Sequence, residues 1–202
     1  VIPVQIVGHS YEPVRAFAEE QLALLNGIGR LLSSSYRSIS LTDNLFGMDS
    51  AGIVRNTVVV VGSAEMRVKG GSVRVVIGGK AQPDPAEGAA SSLMRAASRS
   101  LRAHDALVII GRLNLTWSEL YLLFELVEAE VGGQMFELAW ISHTDADLFT
   151  RTANSYSILR GGGRHGKDRG DPPAQPMQHG IAVTLIRTLV LAWLSHVGAA
   201  DE

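Results

Sequence analysis

Residues Ile181 to Leu194 (IAVTLIRTLVLAWL) form a fourteen-residue stretch of mostly apolar side chains with Arg187 in its middle. A helix needs about 18 or more such residues to span a bilayer. The stretch is therefore read as a buried helix from about Gln178 to His196, with Leu185, Ile186, Leu189 and Trp193 inward and no membrane partner. Such a helix cannot hide its apolar face alone, so the rest of the chain must supply partners for it.

The second half of the sequence supplies them. Asp84-Pro85-Ala86-Glu87 combines a capping carboxylate, a proline suited to the first helical position and a glutamate in the first turn. The helix behind it is expected to present Leu93, Ala97, Leu101, His104 and Val108 on one face. Thr116-Trp117-Ser118-Glu119 is a capping box, with Leu115 and Leu120 spaced as a hydrophobic staple. Leu120, Leu123, Phe124, Val127 and Val131 make the next stripe, and Gly132-Gly133 ends it. A third helix is expected from Ser142 or Thr144, with Asp145 and Asp147 in its first turn and Leu148, Phe149, Thr152, Tyr156 and Leu159 buried. Four such helices imply a bundle.

The first half is read differently. Residues 1–12 alternate as an opening strand, and a helix is expected from about 14 to 32, although Gly27 and Gly29 each cost it about 1 kcal/mol. Residues 36–79 are read as sheet. Ser38 to Leu41 is one strand and the β-branched run Thr57 to Val61 is another, with Asp43-Asn44 and Phe46-Gly47 as loop between them. Glu65 to Val68 and Ser72 to Ile77 alternate about Lys69-Gly70-Gly71 as a hairpin, and residues 78–83 follow as a linker. The fold class expected is α+β. An N-terminal antiparallel β-rich region with one helix (residues 1–83) precedes a C-terminal four-helix bundle (residues 84–202).

The bulk properties narrow the function. A net charge of −2 over 202 residues gives no global field for nucleic acid, so phosphate recognition must come from a local cluster. Without any cysteine the chain has no disulfide, thiolate metal site or thiol nucleophile, which fits a reducing, cytoplasmic compartment. No signal-peptide pattern is visible. The chain opens Val1-Ile2-Pro3 without an initiator methionine, which leaves open what precedes it.

One segment is dense in chemistry. Arg160, Arg164, Lys167 and Arg169 stand with His165 within ten residues, and five glycines lie between Arg160 and Asp171. Glycines let a backbone approach a ligand, and guanidinium groups match phosphate oxygens. The plain alternative is a solvated surface linker.

Arg160 and His165 are spaced Arg-x4-His and followed by Gly166, a pattern that resembles the ribonuclease signature of the HEPN superfamily of helical bundles. With its expected β-rich start the chain is also similar to the Abi-type, ApeA-like members. The resemblance implies metal-independent RNA cleavage, with RNA as partner and a homodimer that completes the site. Arg160 would hold the scissile phosphate and His165 would be the general acid–base. Arg164, beside the histidine, is the alternative guanidinium. Lys167 and Arg169, and Asn154 reaching over from the third helix, would bind phosphate. No cofactor and no metal is implied. The competing classes are a non-catalytic subunit that docks phosphate or an acidic partner through residues 160–171, and a small-molecule sensor.

The remaining polar groups have structural readings. His143 with Asp145 and Asp147 fits capping better than metal ligation, and His104 beside Asp105 fits a core boundary. Glu125, Glu128 and Glu130 do not share a helical face. The sequence has no Gly-x-Ser-x-Gly elbow, His-Glu-x-x-His pair, Rossmann fingerprint or P-loop.

Overall fold

A computed structural model describes residues 11–41, 44–48, 54–59, 76–77, 80–81, 85–163, 165–168 and 170–199. The chain divides into two compact units, one of Val1–Leu22 with Ile39–Asp84, the other of Ala23–Ser38 with Pro85–Glu202.

In the first unit, helix α1 (Tyr11–Leu32) begins inside the expected opening strand, whose residues 1–10 lie outside the described ones. Strand β1 (Asn44–Met48) pairs antiparallel with β2 (Val54–Val59), Asn44 opposite Val59, with a register shift between Gly47 and Met48. A second ladder joins β3 (Val76–Ile77) to β4 (Lys80–Ala81). The expected hairpin between Glu65 and Ile77 lies outside the described residues save for Val76 and Ile77.

The α+β expectation is overturned. The described residues are mostly helical, and they contain two separate two-stranded ladders in place of an antiparallel β-rich region. Ser38–Leu41 carries no strand, Asn44–Met48 is not loop, and Lys80–Ala81 is not free linker. Two physical facts explain the error. β-propensity reports packing on a sheet face more than any backbone preference, and a lone two-stranded ladder is marginal in water.

The second unit is a helical bundle. It takes the end of α1 together with α2 (Pro85–Arg99), α3 (Leu101–Ile110), α4 (Trp117–Val131), α5 (Gln134–Glu137), α6 (His143–Ala153), α7 (Tyr156–Leu159) and α8 (His179–Ala199). Helix α8 lies against α2 and α4, and α3 packs against α2 and α4. Ile186, Leu189, Val190, Trp193 and Leu194 of α8 are completely buried, as are Leu120, Leu123 and Val127 of α4 and Phe149 of α6. By length and composition alone α8 is apolar enough to cross a membrane.

Two expected helices are split. Ser100 ends α2 and caps α3, its side chain accepting the Ala103 amide at 3.2 Å. The restart rotates the helical face, so Leu101 is 77% exposed while Ala103, Ala106, Leu107 and Ile110 are buried. The third helix breaks at Asn154 and Ser155, which leaves Tyr156 exposed rather than buried. The capping box of α4 is present in full: Glu119 N–H donates to the Thr116 hydroxyl, and the Thr116 N–H donates to the Glu119 carboxylate at 2.8 Å. Ser142 caps α6 by accepting the Asp145 amide at 3.0 Å, and the His143 ring stacks on Phe136 with centroids 3.9 Å apart.

The two glycines that weaken α1 as a helix both sit at close approaches. A Cβ on Gly27 would lie 2.1 Å from the Leu107 carbonyl oxygen, and one on Gly29 would lie 2.2 Å from the Tyr36 ring. Tyr36 holds its place by donating its hydroxyl proton to Asn26 Oδ1 at 2.9 Å. Burial pushes that phenol up from its ordinary range, and the positive charge of Arg30 pulls it part of the way back.

Candidate functional site

The segment between α7 and α8 follows from how α7 stops. Its cap, Arg160, adopts φ +48° and ψ −126°, a backbone state that costs a non-glycine residue on the order of 1–3 kcal/mol. The Arg160 N–H bonds the Tyr156 carbonyl, and a 3-10 turn, Arg160–Gly162, closes with Gly163 N–H donating to the Arg160 carbonyl at 3.2 Å. Gly163 then leads out in extended conformation. The Arg160 side chain is left exposed, so its fork is available to a ligand.

Two anchors fix the segment. Asp168 Oδ1 accepts both the Ser157 amide and the Ser157 hydroxyl at 3.0 Å, which closes residues 157–168 into a loop. Beyond it, Arg151 of α6 donates from Nε and Nη2 to the Asp171 carbonyl at 3.3 and 3.0 Å. Further along, the Met177 amide donates to Thr152 Oγ1 at 3.1 Å, and that buried hydroxyl donates to the Leu148 carbonyl at 2.7 Å. Three successive contacts thus tie the approach to α8 back onto α6 and α7.

Of the residues singled out from sequence, Arg160 and Lys167 are exposed and His165 is half-buried on the same loop. Arg164 and Arg169 lie outside the described residues. Asn154 caps α6, and its Oδ1 is buried with no hydrogen-bond partner. Among the described residues no hydrogen bond or ion pair links Arg160, Lys167 and Asn154 to one another; they share a segment without forming a bonded cluster.

Sequence reasoning missed Arg151, Ser157 and Asp168 as the groups that hold the loop. An acidic residue inside a basic segment is the available signal, because a carboxylate there is well suited to accept from a nearby helix start. Among the described residues no group of three or more His, Asp or Glu side chains is placed to hold a metal ion. Comparison of the chain with known protein families, with curated proteins and with solved structures finds no match.

Proposed function

We propose that the helical unit binds RNA through residues 160–171 and that Arg160 and His165 cut it without a metal ion. The observation that carries this reading is the closed loop. Asp168 bonds Ser157 of α7, so the exposed Arg160 and Lys167 lie on a segment tied back to the helical unit. Ordering a loop costs about 1–2 kcal/mol per residue, and a segment that has met this cost in advance binds a polyanion with less entropy to lose. The strained backbone of Arg160 supports the same reading, because such states collect at sites that position a side chain.

The chemistry follows from the groups. A guanidinium fork on two phosphate oxygens stabilises the charge that builds there as a nucleophile attacks. An imidazole whose unperturbed pKa lies near 6.5 takes the proton of the 2′-hydroxyl as that oxygen attacks phosphorus. The imidazolium so formed returns that proton to the departing 5′ oxygen, so the products carry a 2′,3′-cyclic phosphate and a 5′-hydroxyl. A second subunit completing the site belongs to this reading, as does the requirement for RNA over DNA.

The test is cleavage of a labelled single-stranded RNA in EDTA. Wild-type protein is expected to release cyclic-phosphate ends and to leave 2′-O-methyl RNA intact. Arg160→Gln and His165→Gln are expected to lose cleavage by 100-fold or more, within the range general acid–base groups supply, at unchanged melting temperature. Equal cleavage by His165→Gln, or no binding or cleavage by the wild type, would remove the assignment.

A further inference from the structure

A separate cavity of about 240 Å³ opens between the end of α1, the α3–α4 connection and the start of α8. Its walls carry three guanidinium groups, those of Arg30, Arg112 and Arg187, together with His179 and an apolar side that includes Ile110 and Val183. Among the described residues no carboxylate lines it.

The three arginines differ in their commitments. Arg112 is already paired with Glu119. Arg30 gives one Nη2 proton to Ser38 Oγ at 2.6 Å, a neutral partner, while its Nε is buried with no hydrogen-bond partner. Arg187 has no hydrogen bond or ion pair among the described residues. Burial holds its guanidinium below the ordinary arginine range, and the positive charge of Arg30 lowers it further. Two half-buried cations therefore share one small cavity with no counter-charge among the described residues. Like charges so placed repel unless an anion lies between them.

His179 adds direction. Its Nε2 donates to the Leu115 carbonyl at 2.8 Å, and its ring meets the edge of Trp117 with centroids 5.5 Å apart, so the imidazole is fixed in place. The first turn of α8, a helix of 21 residues, faces the same cavity through His179 and Val183. Helix starts favour negative charge.

We propose that this cavity is a binding site for a phosphate monoester dianion, held between the guanidinium groups of Arg30 and Arg187. Charge selects the class: two uncompensated cations match a dianion, which a monoester is above its second pKa near 6. A phosphodiester carries one negative charge and would leave one cation unmatched. Fork geometry also matches phosphate oxygens. The apolar wall accommodates the organic part of a small ester, and the volume excludes a folded polymer. The proposal is independent of the 160–171 loop.

The test is calorimetric titration of the full chain at pH 8 with inorganic phosphate, ribose 5-phosphate and adenosine 5′-monophosphate, with dimethyl phosphate as the monoanionic control. Saturable binding of at least one dianion is expected, at least tenfold tighter than dimethyl phosphate and weaker at pH 5. The three dianions distinguish a site for free phosphate from one for a sugar or nucleotide ester. Arg187→Met and Arg30→Gln are expected to weaken binding at least tenfold, Arg187→Lys less so, and Arg160→Gln not at all. Because Arg187→Met removes a repelled charge, its ligand-free melting temperature should equal or exceed that of the wild type. No saturable binding of any dianion, or undiminished binding by Arg187→Met, would overturn the proposal.

Discussion

Gly27 and Gly88 are both helical glycines, and replacing each by alanine should move stability in opposite directions. Alanine gains about 0.5–1 kcal/mol over glycine in a helix interior. At exposed Gly88 in α2 a new Cβ meets nothing within 4 Å, so that gain is kept. At Gly27 the Cβ would lie 2.1 Å from the Leu107 carbonyl oxygen and 2.8 Å from its carbonyl carbon, both backbone atoms of α3. Ordinary contact begins near 3.4 Å, so the two helices must part by roughly 1.3 Å. That separation loosens the seats of Leu24, Ile28 and Leu31, the buried residues of α1. Overpacking of this kind costs about 1–3 kcal/mol, and a clash between two backbones belongs at the upper end. The net loss is about 2 kcal/mol, which lowers the melting temperature by about 4–8 °C in a chain of this size. Thermal unfolding followed by circular dichroism checks both variants, with Gly88→Ala expected to rise by about 1–4 °C. A Gly27→Ala protein as stable as the wild type would refute the reasoning, because helix propensity would then outweigh the supposed close approach.

Two further predictions concern the polar contacts around the bundle. Thr152→Val leaves the Met177 amide without its acceptor in a buried position, so urea unfolding should show a loss of about 1–3 kcal/mol at unchanged m-value; a loss under about 0.3 would contradict it. Burial pushes the Glu119 carboxyl up, but hydrogen bonds from Thr116 and Arg112 and the charge of Arg112 outweigh it, leaving the group below its ordinary value of 4.5. The stabilisation it provides is therefore complete above about pH 4.5 and fades as pH falls through the depressed folded-state value. Between pH 7 and pH 3 the urea midpoint of the wild type should fall further than that of Glu119→Gln, and Thr116→Ala should cost about 1 kcal/mol at pH 7.

The helical half was legible where local chemistry dictates structure. Thr116 and Glu119 start α4 because the box is complete within four residues, and Ile186, Leu189 and Trp193 of the apolar run are buried. Ser100 is harder to see, because the apolar spacing runs through it, although a serine followed by helix formers is a capping signal. The β-rich reading failed for a non-local reason. Strand formation depends on which faces meet, and a β-branched run such as Thr57–Val59 carries no record of its partners. By propensity alone Gly27 and Gly29 weaken α1, whereas in the fold they permit its close approaches to Leu107 and Tyr36. The loop chemistry was visible as composition, but its anchoring by Arg151 and Asp168 required the fold. The cavity of Arg30 and Arg187 joins residues far apart in sequence and had no local signature.

The loop as an RNA-binding surface is tested most directly by the salt dependence of affinity. Fluorescence anisotropy of a short labelled single-stranded RNA, titrated from 50 to 300 mM salt, gives the slope of log K against log salt. Each phosphate neutralised contributes about 0.7 to that slope, so converting Arg160, Arg164, Lys167 and Arg169 to glutamine should flatten it by up to about 2.8. The account predicts a steep wild-type slope and a shallow one for the fourfold variant at equal folded stability. Indistinguishable slopes for the two proteins would contradict it.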